Sequence, residues 1–230
     1  MLESFEAGGT AVVVGASGGI GQALMRAIDA SGRFGSVVGL ARGGVPPVDL
    51  TSEASVRDAL ASLRPSLVII ASGLLHRRGV EPEKTLRALD PAAMAEVFAV
   101  NTIGPALVMK HVLPRLPKDR KCVFAVLSAK VGSIEDNRLG GWYSYRASKA
   151  AVNQLVRTAA IEMARTHPKA VCLALHPGTV ATGLSGKFAK SGLTVQAPDQ
   201  AAQALLTCID RATPAQTGLF LDRTGQVLPW

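Results

Sequence analysis

Short, almost unbroken apolar runs alternate along this chain with longer stretches whose apolar residues recur at helical spacing. The runs are TAVVV (10–14), SVVGL (36–40), LVIIA (67–71), CVFAVL (122–127), AVCLAL (170–175) and LFL (219–221). A strand with one face in water alternates polar and apolar positions, whereas a strand covered on both faces stays apolar throughout, as these do. Helices are predicted between the runs at 19–31, 53–63, 91–113, 143–166 and 198–211. Asp90 followed by Pro91 marks the start of the third: the aspartate caps free N–H groups, and proline lacks one the first turn would leave unused. Alternation of this kind builds right-handed βαβ units, hence an α/β fold with a doubly wound, mostly parallel sheet. Such sheets bind ligands at the carboxyl ends of their strands, so chemistry is sought in the loops that follow the runs.

Composition narrows the picture. The 230 residues, 48% hydrophobic with 23 Gly and 13 Pro spread throughout, suit one domain spanning 1–230 with a substantial core. A net charge of +8 raises the question of nucleic acid, but the basic residues are scattered. Neither Arg77-Arg78 nor the 118–121 cluster is interleaved with aromatics, so they read as solvated surface and no nucleic-acid partner is expected. Cys122, Cys172 and Cys208 lie far apart in apolar stretches. They offer neither a disulfide framework nor metal-ligand spacing, so no metal site and a reducing, cytoplasmic compartment are expected. The sequence begins without a signal-like segment, and no apolar run reaches the roughly 18 residues a membrane span needs.

Directly after the first run comes GASGGIG, with Gly15, Ser17, Gly19, Ile20 and Gly21. Between a strand and a helix, such glycines allow a tight turn and let backbone N–H groups approach a pyrophosphate, which the helix N-terminus stabilises. The second run ends GLARGG. Ala41 stands where an acid would meet a free ribose 2′-hydroxyl, and Arg42 follows, suited to a 2′-phosphate, so NADP(H) is favoured and NAD(H) is the alternative. Further on, WYSYRASKAAVNQL (142–155) holds both tyrosines of the chain. Tyr145 and Lys149, four apart, share a helix face, whereas Tyr143 has Ala147 at that spacing. A neighbouring ammonium is expected to lower the phenol of Tyr145 from its ordinary value near ~10, allowing it to exchange a proton with a carbonyl oxygen.

Together these residues resemble the short-chain dehydrogenase/reductase family, over nearly the whole chain. The resemblance implies a single-domain Rossmann fold with about seven strands, one of them short and lying near Pro47 to Asp49. It implies adenine contacts at Asp49 and Leu50, and a turn Ala71-Ser72-Gly73 after the next strand, with Ala71 replacing the usual Asn. Asn101, in VNTIG, would keep a helix distorted around a water that links the lysine to solvent. Tyr145 and Lys149 would be the catalytic pair, Lys149 also holding the nicotinamide ribose. Pro177, Gly178, Val180 and Thr182, in HPGTVATG, would approach the nicotinamide. The family's catalytic serine has two candidates here, Ser128 and Ser133; Ser128 is chosen because it ends the strand that presents such a group. GSIEDNRLGGWYSYRASKAAVN and the final GQVLPW resemble a subgroup that includes bacterial C-factor signalling proteins and insect sniffer-type carbonyl reductases, where Arg146 is typical.

The expected activity is reduction of an aldehyde or ketone, or oxidation of the corresponding alcohol, by a homodimer or homotetramer. A cofactor-binding signalling or regulatory protein with incidental catalysis is the alternative. Residues 183–197 read as a lid over the site, and Met94, Trp142 and Leu184 as apolar pocket wall. His76, His176 and Lys130 are further polar candidates whose spacing requires nothing.

Overall fold

In a computed structural model, which describes residues 1–183 and 195–230, the first strand shows how the apolar runs are used. In β1 (Gly9–Val14), Val12 and Val14 face one side of the sheet, Ala11 and Val13 the other, and all four are buried. The same division runs through β3 (Leu67–Ile70), β4 (Cys122–Leu127) and β5 (Ala170–His176). Both faces are therefore core, and each fully buried Val, Leu or Ile contributes roughly 1.5–3 kcal/mol. With β2 (Phe34–Leu40) and β8 (Leu219–Asp222), these strands form one parallel six-stranded sheet in the order β2-β1-β3-β4-β5-β8. Two-residue strands β6 (Thr179–Val180) and β7 (Val195–Gln196) pair separately.

Helices α1 (Gly19–Ala30) and α6 (Pro198–Arg211) cover one face through Leu24, Ile28, Leu205 and Ile209. The other face carries α2 (Glu53–Leu60), α4 (Gly104–Val112) and α5 (Tyr143–Ala164) through Val56, Val108, Val152 and Val156. The chain runs outward from β1 to β2 and then crosses back to β3, so the strand order reverses beside β1. A crevice opens at the carboxyl ends there.

The doubly wound α/β fold is as expected, and three features sharpen it. The sheet has six strands rather than about seven: no strand forms near Pro47 to Asp49, where only Val48 N–H reaches back, to the Ala41 carbonyl at 3.0 Å. Pro46 and Pro47 have no N–H with which to extend a ladder. The helix read at 91–113 is interrupted at Asn101, where the family resemblance implies a distortion: α3 (Pro91–Phe98) passes through a π turn (Ala99–Ile103) into α4. Pro105 cannot donate to the carbonyl of residue 101, four back, and the helix widens there. Finally, Pro91–Arg115 holds an 18-residue window that is, by length and composition, apolar enough to cross a membrane, with mean hydropathy 1.5, although Asn101 and Thr102 interrupt its apolar residues. Its Val97, Val108, Met109 and Val112 are spent on the protein core.

Candidate active site

The crevice is a cavity of about 710 Å³ reached by the ends of β1, β2, β3 and β4. Its wall includes Gly15, Ser17, Gly19, Ile20, Arg42, Asp49, Leu50, Ala71, Ser72, Gly73, Ser128, Tyr145, Lys149, Pro177 and Thr182. Gly21, Asn101, Gly178 and Val180 are set back from it, while Gly18, Thr51, Glu96, Val100 and Leu127 join it unforeseen.

At the glycine turn the backbone dictates the residue. Gly15 has φ +85° and a side chain on it would meet Ser72 N at 2.6 Å; one on Gly21 would stand 2.1 Å from the Gly15 carbonyl oxygen. Gly21 thus lets α1 close onto the turn and has no surface to offer a ligand. The α1 cap, Gly18, supplies no side-chain acceptor, and no acid occupies the first turn, so the positive end of the helix faces the cavity uncompensated. Across it, Ser72 Oγ is buried without a hydrogen-bond partner among the described residues.

Arg42, exposed at the rim, is electrostatically coupled to Asp49 and Glu96, yet neither pairs with it. Both acids are engaged elsewhere. Asp49 accepts from Thr51 N–H and Oγ1 at 2.8 Å each, which hold its carboxyl below the usual range, and Glu96 pairs with Arg77. The guanidinium is left available to an anion at the mouth.

The other half of the cavity is built on α5. Tyr145 and Lys149 lie on its buried face, with Lys149 Nζ 5.7 Å from the tyrosine ring. Tyr143 is 37% exposed and off the wall. Lys149 Nζ donates to the Leu127 carbonyl at 2.8 Å, and burial pulls its pKa down to about 8. Burial pushes the Tyr145 phenol above its ordinary value. This corrects the expectation that the ammonium lowers it: in a water-excluded pocket the desolvation of a phenolate outweighs a cation directed at a carbonyl.

Ser128 continues the line of β4, its N–H donating to the Leu175 carbonyl at 2.8 Å. Its buried hydroxyl donates to Asn153 Oδ1 at 2.6 Å. Ser133 lies off the cavity wall; its hydroxyl donates to the Trp230 carbonyl and accepts from Asp136 N–H, both at 3.0 Å. Asn101 sits in the π turn. Its Oδ1 accepts from Leu74 N–H at 2.7 Å, and its Nδ2 donates to the Leu74 carbonyl at 2.8 Å and to Ser148 Oγ at 3.0 Å. Gly73 faces the gap between Asn101 and Lys149: a Cβ there would stand 3.7 Å from Asn101 Oδ1 and 3.8 Å from Lys149 Nζ.

The start of α5 is held by distant residues. Gly140, Gly141 and Trp142 are all left-handed, with φ of 64°, 66° and 55°, and Trp142 supplies no side-chain cap. Buried Glu83 takes its place: its carboxylate accepts from Ser144 N–H and Oγ, and its carbonyl from Trp142 N–H. Arg146 clamps the turn, donating to the Gly141 carbonyl at 2.9 Å and the Val131 carbonyl at 3.1 Å. Trp142 packs edge-on against Tyr145 at 6.2 Å.

Met94 lies off the wall, His76 meets the Gly183 carbonyl at 3.0 Å, and His176 accepts from Lys130 N–H at 3.2 Å. Burial pulls His176 to about 4, so it is neutral at physiological pH. Leu184 and most of the expected lid, 184–194, lie outside the described residues.

The family model for short chain dehydrogenase matches residues 44–192. The chain belongs to this family. It is therefore a dinucleotide-dependent oxidoreductase by descent, and the glycine turn, the uncapped α1 and the buried Ser72 hydroxyl fit such a cofactor. Among relatives of this short-chain dehydrogenase, 1-hydroxy-2-glutathionyl-2-methyl-3-butene dehydrogenase of Rhodococcus sp. (strain AD45) is 33% identical over 230 residues, 96% of this chain and 99% of that protein. The C-signal of Myxococcus xanthus is 36% identical over 143 residues, 62% of this chain and 81% of that protein. Among solved structures, NADPH-bound carbonyl reductase from chicken fatty liver superposes with a TM-score of 0.84 at 25% identity, covering 99% of this chain and 97% of that one. The carbonyl reductase Sniffer of D. melanogaster, at 18% identity, 97% and 100% coverage and the same TM-score of 0.84, shares the fold.

Proposed function

We propose that this short-chain dehydrogenase is an NADP(H)-dependent carbonyl reductase, acting on an aldehyde or ketone or, in reverse, on the corresponding alcohol. The observation that carries the reading is the convergence of Ser128, Tyr145 and Lys149 on the cavity that the glycine turn and Arg42 also line. The nicotinamide supplies hydride when bound. The protein's part is to hold the carbonyl oxygen between the Ser128 hydroxyl and the Tyr145 phenol, and to give that oxygen the phenolic proton. Arg42 would bind the 2′-phosphate, Asp49 and Leu50 the adenine, and the α1 N-terminus the pyrophosphate. Pro177 and Thr182 would border the nicotinamide, with Gly178 and Val180 shaping their turn. Lys149 would hold the ribose, and Asn101 would keep the helix open behind it. The NADPH- and NADP-bound structural neighbours support the cofactor choice. Three buried free thiols support a reducing, cytoplasmic setting. Half-exposed Ile103 and Ile161, beside α4 and on α5, support a homo-oligomer.

The likeness to C-signal favours a second reading, a cofactor-binding signalling or regulatory protein whose catalysis is incidental. NADPH oxidation with a panel of aldehydes and ketones separates the two. Turnover that Tyr145→Phe lowers at least about 100-fold is the expected result. Tight NADPH binding without turnover on any carbonyl would replace the first reading with the second.

A further inference from the structure

We propose that Asn153 is a positioning residue that sets the direction in which the Ser128 hydroxyl points its proton. The inference rests on the carbonyl-reductase reading and extends it to a residue one helical turn beyond Lys149. Residues 145, 149 and 153 are each four apart, so Asn153 shares the face of α5 that carries the tyrosine and the lysine. It is 3% exposed, and so is Ser128, which leaves their mutual contact shielded from water.

Two observations define the problem. Ser128 Oγ lies 2.6 Å from Asn153 Oδ1 and donates to it, while Asn153 Nδ2 is buried with no hydrogen-bond partner among the described residues. In that arrangement the serine proton is already used, and the hydroxyl offers the cavity only lone pairs. A substrate carbonyl oxygen needs a donor. The two ends of an amide have nearly the same shape, so a half-turn of the Asn153 side chain exchanges them without altering the packing. Nδ2 then donates to Ser128 Oγ, and the hydroxyl proton turns to the substrate oxygen. Each orientation leaves one buried amide atom without a partner, and the second also needs an acceptor for the hydroxyl proton, so a substrate oxygen that accepts from Ser128 decides between them. The amide thereby passes its own donor through the serine to the reacting oxygen.

Steady-state reduction of a carbonyl substrate with NADPH tests this. Asn153→Asp replaces the amide by a group that, when ionised, only accepts. It therefore locks the Ser128 proton away from the substrate and should lower kcat about 100-fold, to the level of Ser128→Ala, with the KM for NADPH within about twofold of wild type. Acidification, which gives that carboxyl a proton to donate, should restore part of the rate, a rise toward low pH that simple structural damage does not produce. The double variant Ser128→Ala/Asn153→Asp should be no slower than Ser128→Ala alone. If Asn153→Asp does not fold, Asn153→Leu, similar in shape, enters the same cycle and should be equally non-additive with Ser128→Ala. Losses that multiply in the double variant, or full turnover by Asn153→Asp at neutral pH, would overturn the proposal. Tyr145→Phe keeps the two claims apart. If it leaves turnover unchanged, the reductase reading falls and this inference with it; if it abolishes turnover while the Ser128 and Asn153 losses multiply, only the positioning role falls.

Discussion

Replacing Lys149 by Met tests whether this site is kept at the expense of stability. The ammonium is buried, its hydrogen bond goes to the Leu127 carbonyl, and burial pulls its pKa from 10.5 to about 8. At about 1.4 kcal/mol per pKa unit, that drop corresponds to about 3 kcal/mol of destabilisation while the lysine is charged. Methionine fills a similar volume without charge and forgoes the bond to Leu127, worth about 1 kcal/mol. The cofactor-free variant should therefore be about 2 kcal/mol more stable at pH 7, a rise in Tm of about 4–8 °C for a domain of this size. The sign with pH follows from proton binding. In the unfolded chain the lysine keeps its proton to about pH 10.4, whereas in the folded protein it releases it near pH 8. Between these values the unfolded state binds more protons, the wild type gains stability as pH rises, and its deficit against the variant shrinks. Urea unfolding of both proteins at pH 7 and pH 9.5 measures this. A variant no more stable than wild type at pH 7, or a difference that does not change with pH, would refute the reasoning.

Arg42→Ala should raise the KM for NADPH about 10- to 100-fold, the loss of a charge-assisted contact worth about 1.5–3 kcal/mol, and leave the KM for NADH nearly unchanged; equal effects on both would refute the 2′-phosphate assignment. Gly21→Ala places a methyl 2.1 Å from the Gly15 carbonyl oxygen, so the turn must shift. It should cost about 1–3 kcal/mol in thermal unfolding together with weaker NADPH binding, and a variant with wild-type Tm and affinity would contradict the close packing. Ser133→Ala removes the bonds to Trp230 and Asp136. It should lower stability by about 1–2 kcal/mol with kcat within about threefold of wild type; lost turnover with intact stability would make Ser133 the catalytic serine.

How far the sequence reveals this molecule depends on how far each determinant reaches along the chain. The strands are legible because burial on both faces leaves a mark within five or six neighbouring residues. The break in the helix at 91–113 was also written locally, in Gly104-Pro105, but the long apolar periodicity on either side outweighed it. The Tyr145–Lys149 pair is legible because a spacing of four on a helix is a local property. What holds that pair is not: Glu83 meets Ser144 across 61 positions, and Arg146 reaches Val131 across 15. The two serines look alike in sequence and differ by the Trp230 carbonyl, 97 positions from Ser133. The direction of the Tyr145 shift is not legible for the same reason, since spacing reveals a neighbouring lysine but not the enclosure that removes water from both groups.

That enclosure bears on the direction of the proposed reaction. Burial moves the two groups apart, the phenol upward and the ammonium downward to about 8, because in each case it penalises the charged form. Near neutral pH the tyrosine is thus held in its protonated form, the one a carbonyl reduction consumes. A raised phenol is a weak acid toward water, but the oxygen produced as a carbonyl is reduced is an alkoxide, a far stronger base than phenolate, so transfer to it remains favourable. The reverse reaction starts from phenolate, the form that this pocket disfavours, and needs either higher pH or additional positive charge close to the ring. Lys149, 5.7 Å from the ring, is bonded to the Leu127 carbonyl and loses its charge near pH 8, so higher pH remains the route to the phenolate. With both groups buried in this way, turnover in the alcohol-oxidising direction should climb through the alkaline range while carbonyl reduction holds level near neutrality. Parallel pH profiles for the two directions would mean that the tyrosine proton is not the one transferred.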